Sequence, residues 1–271
     1  MSISGFFDFS QYAILSAIFV NMYTHKKSLG QHFLKDETVI QKIIDALAAE
    51  SFTHLLEVGP GAGALTKHLM LIPAIEFKAV ELDEEKVIFL SQKYPILKDK
   101  LIHQSFLDIP APFERPFTVI GNFPYNISTQ ILFKILDWKD QVPCVIGMFQ
   151  KEVAQRAASP AGNKVYGVLS ALVQAYYSVE YLFDVRNDCF TPAPKVQSGV
   201  IKLIRKKEPL AVKSDRAYWV LVKTAFNQRR KTLRNAVKSL FTTEVLQDPL
   251  FERRAETLSI EEFAALTFRM I

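Results

Sequence analysis

The stretch that most constrains the fold reads His54-Leu55-Leu56-Glu57-Val58-Gly59-Pro60-Gly61-Ala62-Gly63. An apolar strand of His54–Val58 is broken by a glycine-rich turn, and a helical pattern follows over Ala64–Leu71. Glycines at a strand-to-helix junction admit positive φ and let the backbone approach a ligand closely. The pattern then repeats. A strand is predicted over Ile75–Glu81 and a helix from Glu84 to Lys93. Further strands are predicted over Lys100–Phe106, Phe117–Ile120 and Pro143–Phe149. Asp36 is a candidate N-cap for a helix to Glu50, with Val39, Ile40, Ile43, Ile44 and Leu47 on one face. Ser128 is a candidate cap for a helix to Leu136, and Glu152 opens another. Strands alternating with helices predict an α/β fold, a parallel sheet covered on both faces.

After Lys206 the pattern changes. Residues Asp215–Phe226, Arg229–Phe241 and Ser259–Met270 read as helices with no strand between them. The last opens on Ser259-Ile260-Glu261-Glu262, a capping-box sequence. The boundary is placed at Lys207-Glu208-Pro209. This divides the chain into a main domain of residues 22–207 and a small all-helical domain of residues 208–271.

Residues 1–21 fit neither. They hold no Lys or Arg, one acid (Asp8), and an apolar run of nine residues, Tyr12–Val20. A membrane span needs about 20 apolar residues, and a secretory signal needs a basic start and a small-residue cleavage site. The expectation is a non-native or poorly ordered extension ahead of a native start at Met22. The alternative is a weakly ordered helix packed on the body. No membrane is expected as a partner.

Composition excludes several classes. With 49% hydrophobic and 23% charged residues the chain is not disordered. Cys144 and Cys189, the two cysteines, make neither a disulfide framework nor a four-thiolate zinc site. No H-E-x-x-H spacing occurs, so no metal is expected. The net charge of +5 is unevenly spread. Lys195–Lys238 carries 13 Lys and Arg against Glu208 and Asp215, a net +11, which leaves the remainder at −6. Such asymmetry points to a polyanionic partner met by the C-terminal third, although charge alone also fits a solvated surface.

Two motifs carry chemistry. Glu81 ends the second strand of the repeat, 20 residues after Gly61, where a carboxylate can accept bonds from both hydroxyls of a ribose. Pro60 and Glu57 depart from the dinucleotide pattern, and the E-x-G-x-G-x-G form resembles the S-adenosylmethionine site of class I methyltransferases. Asn122-Phe123-Pro124-Tyr125 follows the strand Phe117–Ile120, at the same sheet edge as the glycine turn. An adenine amine is a poor nucleophile because its lone pair is delocalised into the ring. The Asn122 side-chain carbonyl and the Pro124 backbone carbonyl can accept its two N–H bonds and favour a pyramidal nitrogen. Tyr125 can stack on the base. With a sulfonium donor, in-line positioning supplies most of the catalysis and no strong base is required.

Together these residues resemble the ribosomal RNA adenine N6-dimethyltransferase family, from about Lys26 to the C-terminus. Ser28-Leu29-Gly30-Gln31-His32-Phe33-Leu34 resembles the family's N-terminal cofactor motif. Asn122–Ser128 resembles its catalytic motif, with Phe123 where Leu or Ile is common. Phe190-Thr191-Pro192-Ala193-Pro194-Lys195-Val196-Gln197-Ser198 and Phe226-Asn227-Gln228-Arg229-Arg230-Lys231-Thr232-Leu233 resemble two further segments. The second is typical of the housekeeping bacterial, small-subunit (16S) branch.

The resemblance implies a Rossmann-like, mostly parallel seven-stranded sheet with a helical C-terminal domain. It implies S-adenosylmethionine held by His32, Leu34, Gly59, Gly61, Glu81 and Asn122. It implies a target amine positioned by Asn122, Pro124 and Tyr125, with Phe190 over the other face of a base splayed from its stack. Lys195, Arg229, Arg230, Lys231 and Arg234 would meet RNA phosphates. One position departs from the family: Ser105 stands where an Asp usually contacts the cofactor's adenine, so weaker binding is expected, with Asp108 as a possible substitute. The implied reaction is dimethylation of N6 on two adjacent adenosines near the 3′ end of 16S RNA. Its setting would be a partly assembled small subunit in the cytoplasm, with a monomeric enzyme. Two other readings are open: a large-subunit methyltransferase of the macrolide-resistance type, which generally lacks Asn-Gln-Arg-Arg-Lys-Thr, and an assembly factor with incidental methylation.

Overall fold

The computed structural model describes residues 32–228 and 230–271. The expectations for residues 1–21, for the start at Met22, for Ser28–Gln31 and for Arg229 lie outside the described residues.

A two-residue strand, β1 (Phe33–Leu34), precedes helix α1 (Glu37–Ala48). Asp36 caps α1 as expected: its carboxylate accepts from the Thr38 and Val39 amides at 2.9 and 3.1 Å. Then come β2 (His54–Val58), α2 (Thr66–Leu69), β3 (Glu76–Glu81), α3 (Glu84–Lys93), β4 (Leu101–His103) and β5 (Thr118–Asn122). α4 (Ser128–Asp137), β6 (Cys144–Gln150), α5 (Lys151–Ala158) and α6 (Val168–Tyr176) follow. β7 (Tyr177–Val185), β8 (Phe190–Thr191) and β9 (Ser198–Arg205) complete the strands.

Seven strands form one sheet in the order β4-β3-β2-β5-β6-β9-β7, and β1 pairs with β8 outside it. The pairs from β4 to β6 are parallel, while β9 runs against both β6 and β7. The sheet is therefore mostly parallel, as expected. The chain moves outward from β2 through β3 to β4, then returns to lay β5 on the other side of β2. The crevice above β2 and β5 is thus the topological switch point, where open α/β sheets bind ligands.

Alternation along the strands sorts side chains to two layers. Leu55, Phe77, Ala79, Ile120, Ile146 and Met148 pack with α1, α2 and α3 through Ile40, Ile43, Leu47, Leu69 and Leu90. Leu56, Val58, Val119, Val145 and Phe149 pack with α4 and α6 through Ile131, Ile135, Leu169 and Leu172.

The C-terminal helices α7 (Asp215–Asn227), α8 (Leu233–Val237) and α9 (Ile260–Thr267) follow the change of pattern predicted at 207–209. Tyr218, Leu221, Val222, Leu233 and Phe263 belong to the same buried cluster as the α4 and α6 side chains, so the hydrophobic core runs across that boundary. The capping box forms: Ser259 Oγ accepts from the Glu262 amide at 3.2 Å, and Glu262 accepts from the Ser259 amide at 2.8 Å.

Two predicted helices are corrected. Arg229–Phe241 is not one helix. Thr232 is extended, and the α-helix spans only Leu233–Val237, so Arg230 and Lys231 before it lie outside the helix, where like charges need not stack on one helical face. Ser128 is the first residue of α4 rather than its cap, and its hydroxyl donates to the Pro124 carbonyl at 3.2 Å.

Candidate active site

The glycine turn leaves β2 with Gly59 at φ +68° and Gly61 at φ +55°, a region closed to most side chains. The Gly59 amide donates to the Val80 carbonyl at 2.9 Å, which ties the turn to β3. A Cβ on Gly61 would stand 3.1 Å from the Phe33 ring, so the turn and β1 meet in van der Waals contact. Glu81 closes the other side. Its Oε2 accepts from the Gly61 amide at 3.1 Å, and its Oε1 accepts from Leu82 and Asp83 amides at 2.9 Å each. An ionised carboxylate offers about four acceptor sites. Three are met by backbone, and the remaining capacity, on Oε2, faces the pocket. Burial raises its pKa, and the three amides act against that rise.

The catalytic motif sits on a floor without side chains. Gly121 of β5 and Gly147 of β6 are partners in register. A Cβ on Gly147 would fall 2.3 Å from Phe123, and one on Gly121 would fall 3.1 Å from it. The Phe123 ring therefore lies across both strands, 1% exposed and 4.7 Å from the Phe149 ring. That anchor turns Asn122 and Pro124 into the pocket. Asn122 Nδ2 donates to the His32 carbonyl at 2.9 Å, which orients the amide and leaves Oδ1 as an acceptor. The Pro124 carbonyl is engaged more loosely, by the Ile127 amide at 3.3 Å and the Ser128 hydroxyl. The Tyr125 hydroxyl is bonded to Ser198 Oγ, and burial pushes its pKa up. Its ring stands 5.4 Å from that of His32, tilted by 30°.

One pocket brings most of the expected residues together: His32, Leu34, Gly59, Gly61, Glu81, Ser105, Asn122, Pro124 and Tyr125 all line it. His32 Nδ1 bonds the Pro192 carbonyl at 2.9 Å, so residues 32–34 are fastened to the β8 loop as well as to Asn122. Ser105 Oγ accepts from the Leu107 amide at 3.2 Å and reaches the pocket wall, whereas Asp108 is exposed and does not line it.

Phe190 is placed differently. It is 2% exposed, registered opposite Leu34, and packs in the core beneath α1 rather than lining the pocket. Pairing β8 with β1 turns the ring inward, so in this arrangement it does not present a face to a base. Arg234 also departs from its expected role. Its Nε donates to the Leu246 carbonyl at 3.0 Å, and its Nη1 pairs with Glu252 at 2.7 Å. Those bonds hold α8 to the segment after it. Lys195, Arg230 and Lys231 are exposed.

Helix α7 runs beside α4. Lys139, just past α4, pairs with Asp215 at the start of α7 at 2.8 Å. Phe133 packs on Trp219 at 5.4 Å, and Lys223 lies 5.8 Å from the Phe133 ring. The two helices are therefore antiparallel neighbours.

Sequence reasoning gave no role to Ser198, buried against Tyr125, or to Glu57. The Glu57 carboxyl is 1% exposed, lines the pocket, and has an Oε2 with no hydrogen-bond partner. Its signal was an acid inside an otherwise apolar strand. Among the described residues, no cluster of three or more His, Cys, Asp or Glu could hold a metal ion, and no helix is long and apolar enough to cross a membrane.

A glycine turn, a strand-end carboxylate and an Asn-Phe-Pro-Tyr turn at the switch point of this sheet define a class I methyltransferase. The comparisons narrow that class. Residues 22–270 match the family model described as ribosomal RNA adenine dimethylase, and the chain belongs to that family. It is 49% identical over 246 residues to a ribosomal RNA small subunit methyltransferase A of Cytophaga hutchinsonii, covering 89% of this chain and 95% of the relative. The protein of the same name from Flavobacterium johnsoniae is also 49% identical, with 89% and 94% covered. A dimethyladenosine transferase from Plasmodium falciparum superposes with a TM-score of 0.73 at 25% identity, covering 86% of this chain and 94% of that one. A 23S rRNA methyltransferase, ErmE, shares the fold with a TM-score of 0.69 at 21% identity, over 88% and 99%. Family and fold imply S-adenosylmethionine-dependent chemistry. The pocket suits such a cofactor: its turn is open to close backbone approach, and its buried carboxylates suit a cationic ligand.

Proposed function

We propose that this enzyme dimethylates N6 of two adjacent adenosines in the 3′-terminal hairpin loop of 16S rRNA, during small-subunit biogenesis. It would act as a monomer, in the cytoplasm, on a partly assembled subunit. The observation that carries the reading is Asn122. Its amide nitrogen is committed to His32, so its oxygen is the group left to accept a bond at the pocket wall.

S-adenosylmethionine, when bound, supplies a methyl group on a positively charged sulfur. Gly59, Gly61, Glu81, His32, Leu34 and Ser105 would hold it, with Glu81 accepting from the ribose. Asn122 Oδ1 accepts one N–H of the target amine. The Pro124 carbonyl accepts the other after releasing the Ser128 hydroxyl, a bond long enough at 3.2 Å to exchange. Two accepted bonds localise the nitrogen lone pair and aim it. Tyr125, steadied by Ser198, supplies a stacking face. Positioning of this kind needs no base in the pocket, because the methylated nitrogen is cationic and acidic enough to lose its proton to water. Lys195, Arg230 and Lys231 hold phosphates of the RNA around the splayed base.

Primer extension on small-subunit RNA from a deletion strain, with and without the purified protein and cofactor, tests the reading. A new block at the 3′-terminal loop is expected. Its absence, with the block appearing on large-subunit RNA instead, would assign the enzyme to the other subunit.

A further inference from the structure

The chemistry above leaves Glu57 without a task, yet its setting is costly. On β2 it lies between Leu56 and Val58, both buried, and its side chain falls on the α2–α3 side of the sheet. Three groups face it. Thr66 of α2 is its polar neighbour, and its hydroxyl and backbone amide act against the rise that burial causes. Glu81 of β3 lines the same pocket and repels it. Tyr94, after α3, has a phenol pushed up to about 12 by burial and then by Glu57. No Lys, Arg or His pairs with Glu57 among the described residues.

A sealed carboxylate with no counter-ion and a second carboxylate beside it favours its neutral form. Burial, then Glu81, pushes the Glu57 carboxyl up to about 8. Glu81 differs, because three backbone amides steady its charge. The pocket thus contains one carboxyl braced by three backbone amides and one acid that keeps its proton at neutral pH.

We propose that the pocket admits its cationic cofactor in exchange for the Glu57 proton. The ligand's positive charge supplies the counter-ion that Glu57 lacks, the carboxyl ionises, and the proton passes to the buffer. Binding then tightens as pH rises. The inference rests on the reading of this pocket as the S-adenosylmethionine site.

Calorimetric titration of the full chain with S-adenosylmethionine, in buffers of different ionisation enthalpy, counts the protons released. With a free-state value of about 8, wild type should release about 0.9 proton at pH 7. Its affinity should rise by up to about tenfold per pH unit between pH 6 and 8. Glu57→Gln, which keeps the shape and removes the titration, should release close to none and bind with a flat pH dependence. Equal release by both proteins, or none by wild type, would overturn the proposal. Where Glu57→Gln does not fold, carboxyl carbon NMR of wild type decides. The Glu57 signal should titrate near pH 8 in the free protein and stay ionised through pH 6 in the complex, and titration in the ordinary carboxylate range in the free protein refutes the idea. A folded wild type that binds no S-adenosylmethionine at any pH overturns the reading of the pocket, and this inference with it.

Discussion

The floor under Phe123 gives the sharpest test of how the catalytic turn is held. In Gly147→Ala the new Cβ would lie 2.3 Å from Phe123 Cε2 and 2.6 Å from Phe149 Cε2. Both distances are far inside contact, both rings are buried, and they already pack at 4.7 Å. Neither can rotate away without opening the core. Overpacking of this kind costs about 1–3 kcal/mol, and two simultaneous clashes place this case near 2 kcal/mol or above. In a chain of this size that lowers Tm by about 4–8 °C. Because the displaced ring is the residue between Asn122 and Pro124, methyl transfer should fall further than the loss of folded protein accounts for.

The companion change is Phe123→Leu, which removes the ring carbon nearest to the new methyl. Alone it should cost about 1 kcal/mol of lost burial. In combination the 2.3 Å clash disappears, while the 2.6 Å clash with Phe149 and the 2.9 Å approach at the Cδ2 position remain, so relief is partial. A double-mutant cycle by urea unfolding should show a favourable coupling of about 1 kcal/mol, with part of the lost activity restored. Additivity within about 0.5 kcal/mol would mean that the ring does not occupy this space, and the account of how Asn122 is aimed would fail.

Four further outcomes follow from the site. Asn122→Ala should lower methyl transfer by about 10²–10³-fold while cofactor affinity, read by calorimetry, changes much less; an equal loss in both would make Asn122 a cofactor ligand only. Ser105→Asp, by adding charge to a hydrogen bond at the pocket wall, should tighten S-adenosylmethionine binding by about three- to tenfold, and unchanged or weaker binding refutes that placement. Arg230→Glu and Lys231→Glu should each weaken RNA binding and reduce its salt slope by about one, whereas Arg234→Ala should cost about 1 kcal/mol of stability with little change in that slope. Glu57 sets a pH trend in the ligand-free protein: with a folded value of about 8 against an ordinary 4.5, its contribution to stability is full below pH 4.5 and is lost as pH rises through 8. The Tm of wild type should therefore fall between pH 5 and 9 relative to that of Glu57→Gln, and parallel curves would contradict the assignment.

Local chemistry announced the parts of the site that are local. The β2 turn, the cap at Asp36, the helix from Glu84 and the box at Ser259 each depend on residues within a few positions, and the structure has them. What pattern could not convey is pairing at distance. Asn122 is oriented by a carbonyl 90 residues before it, and Tyr125 by a hydroxyl 73 residues after it. Arg234 looks like its basic neighbours in sequence and is set apart by Leu246 and Glu252, 12 and 18 residues after it. Phe190 sits in a matched motif, but its face was decided by the pairing of β8 with β1. β7 escaped notice because Ser178, Glu180 and Asp184 break its apolar run, as befits an edge strand.

These distant pairings have a common effect on the two ligands. The crevice holds Glu81, and Glu57 once it ionises, in a buried pocket, whereas Lys195, Arg230 and Lys231 are exposed. A cationic cofactor and a polyanionic RNA are thus attracted to different groups of opposite charge. Screening treats them differently: the exposed lysines and arginines act through solvent and weaken with salt, while the pocket carboxylates are buried and do not. RNA binding should thus be the salt-sensitive step and cofactor binding the pH-sensitive one, a separation that follows from burial alone.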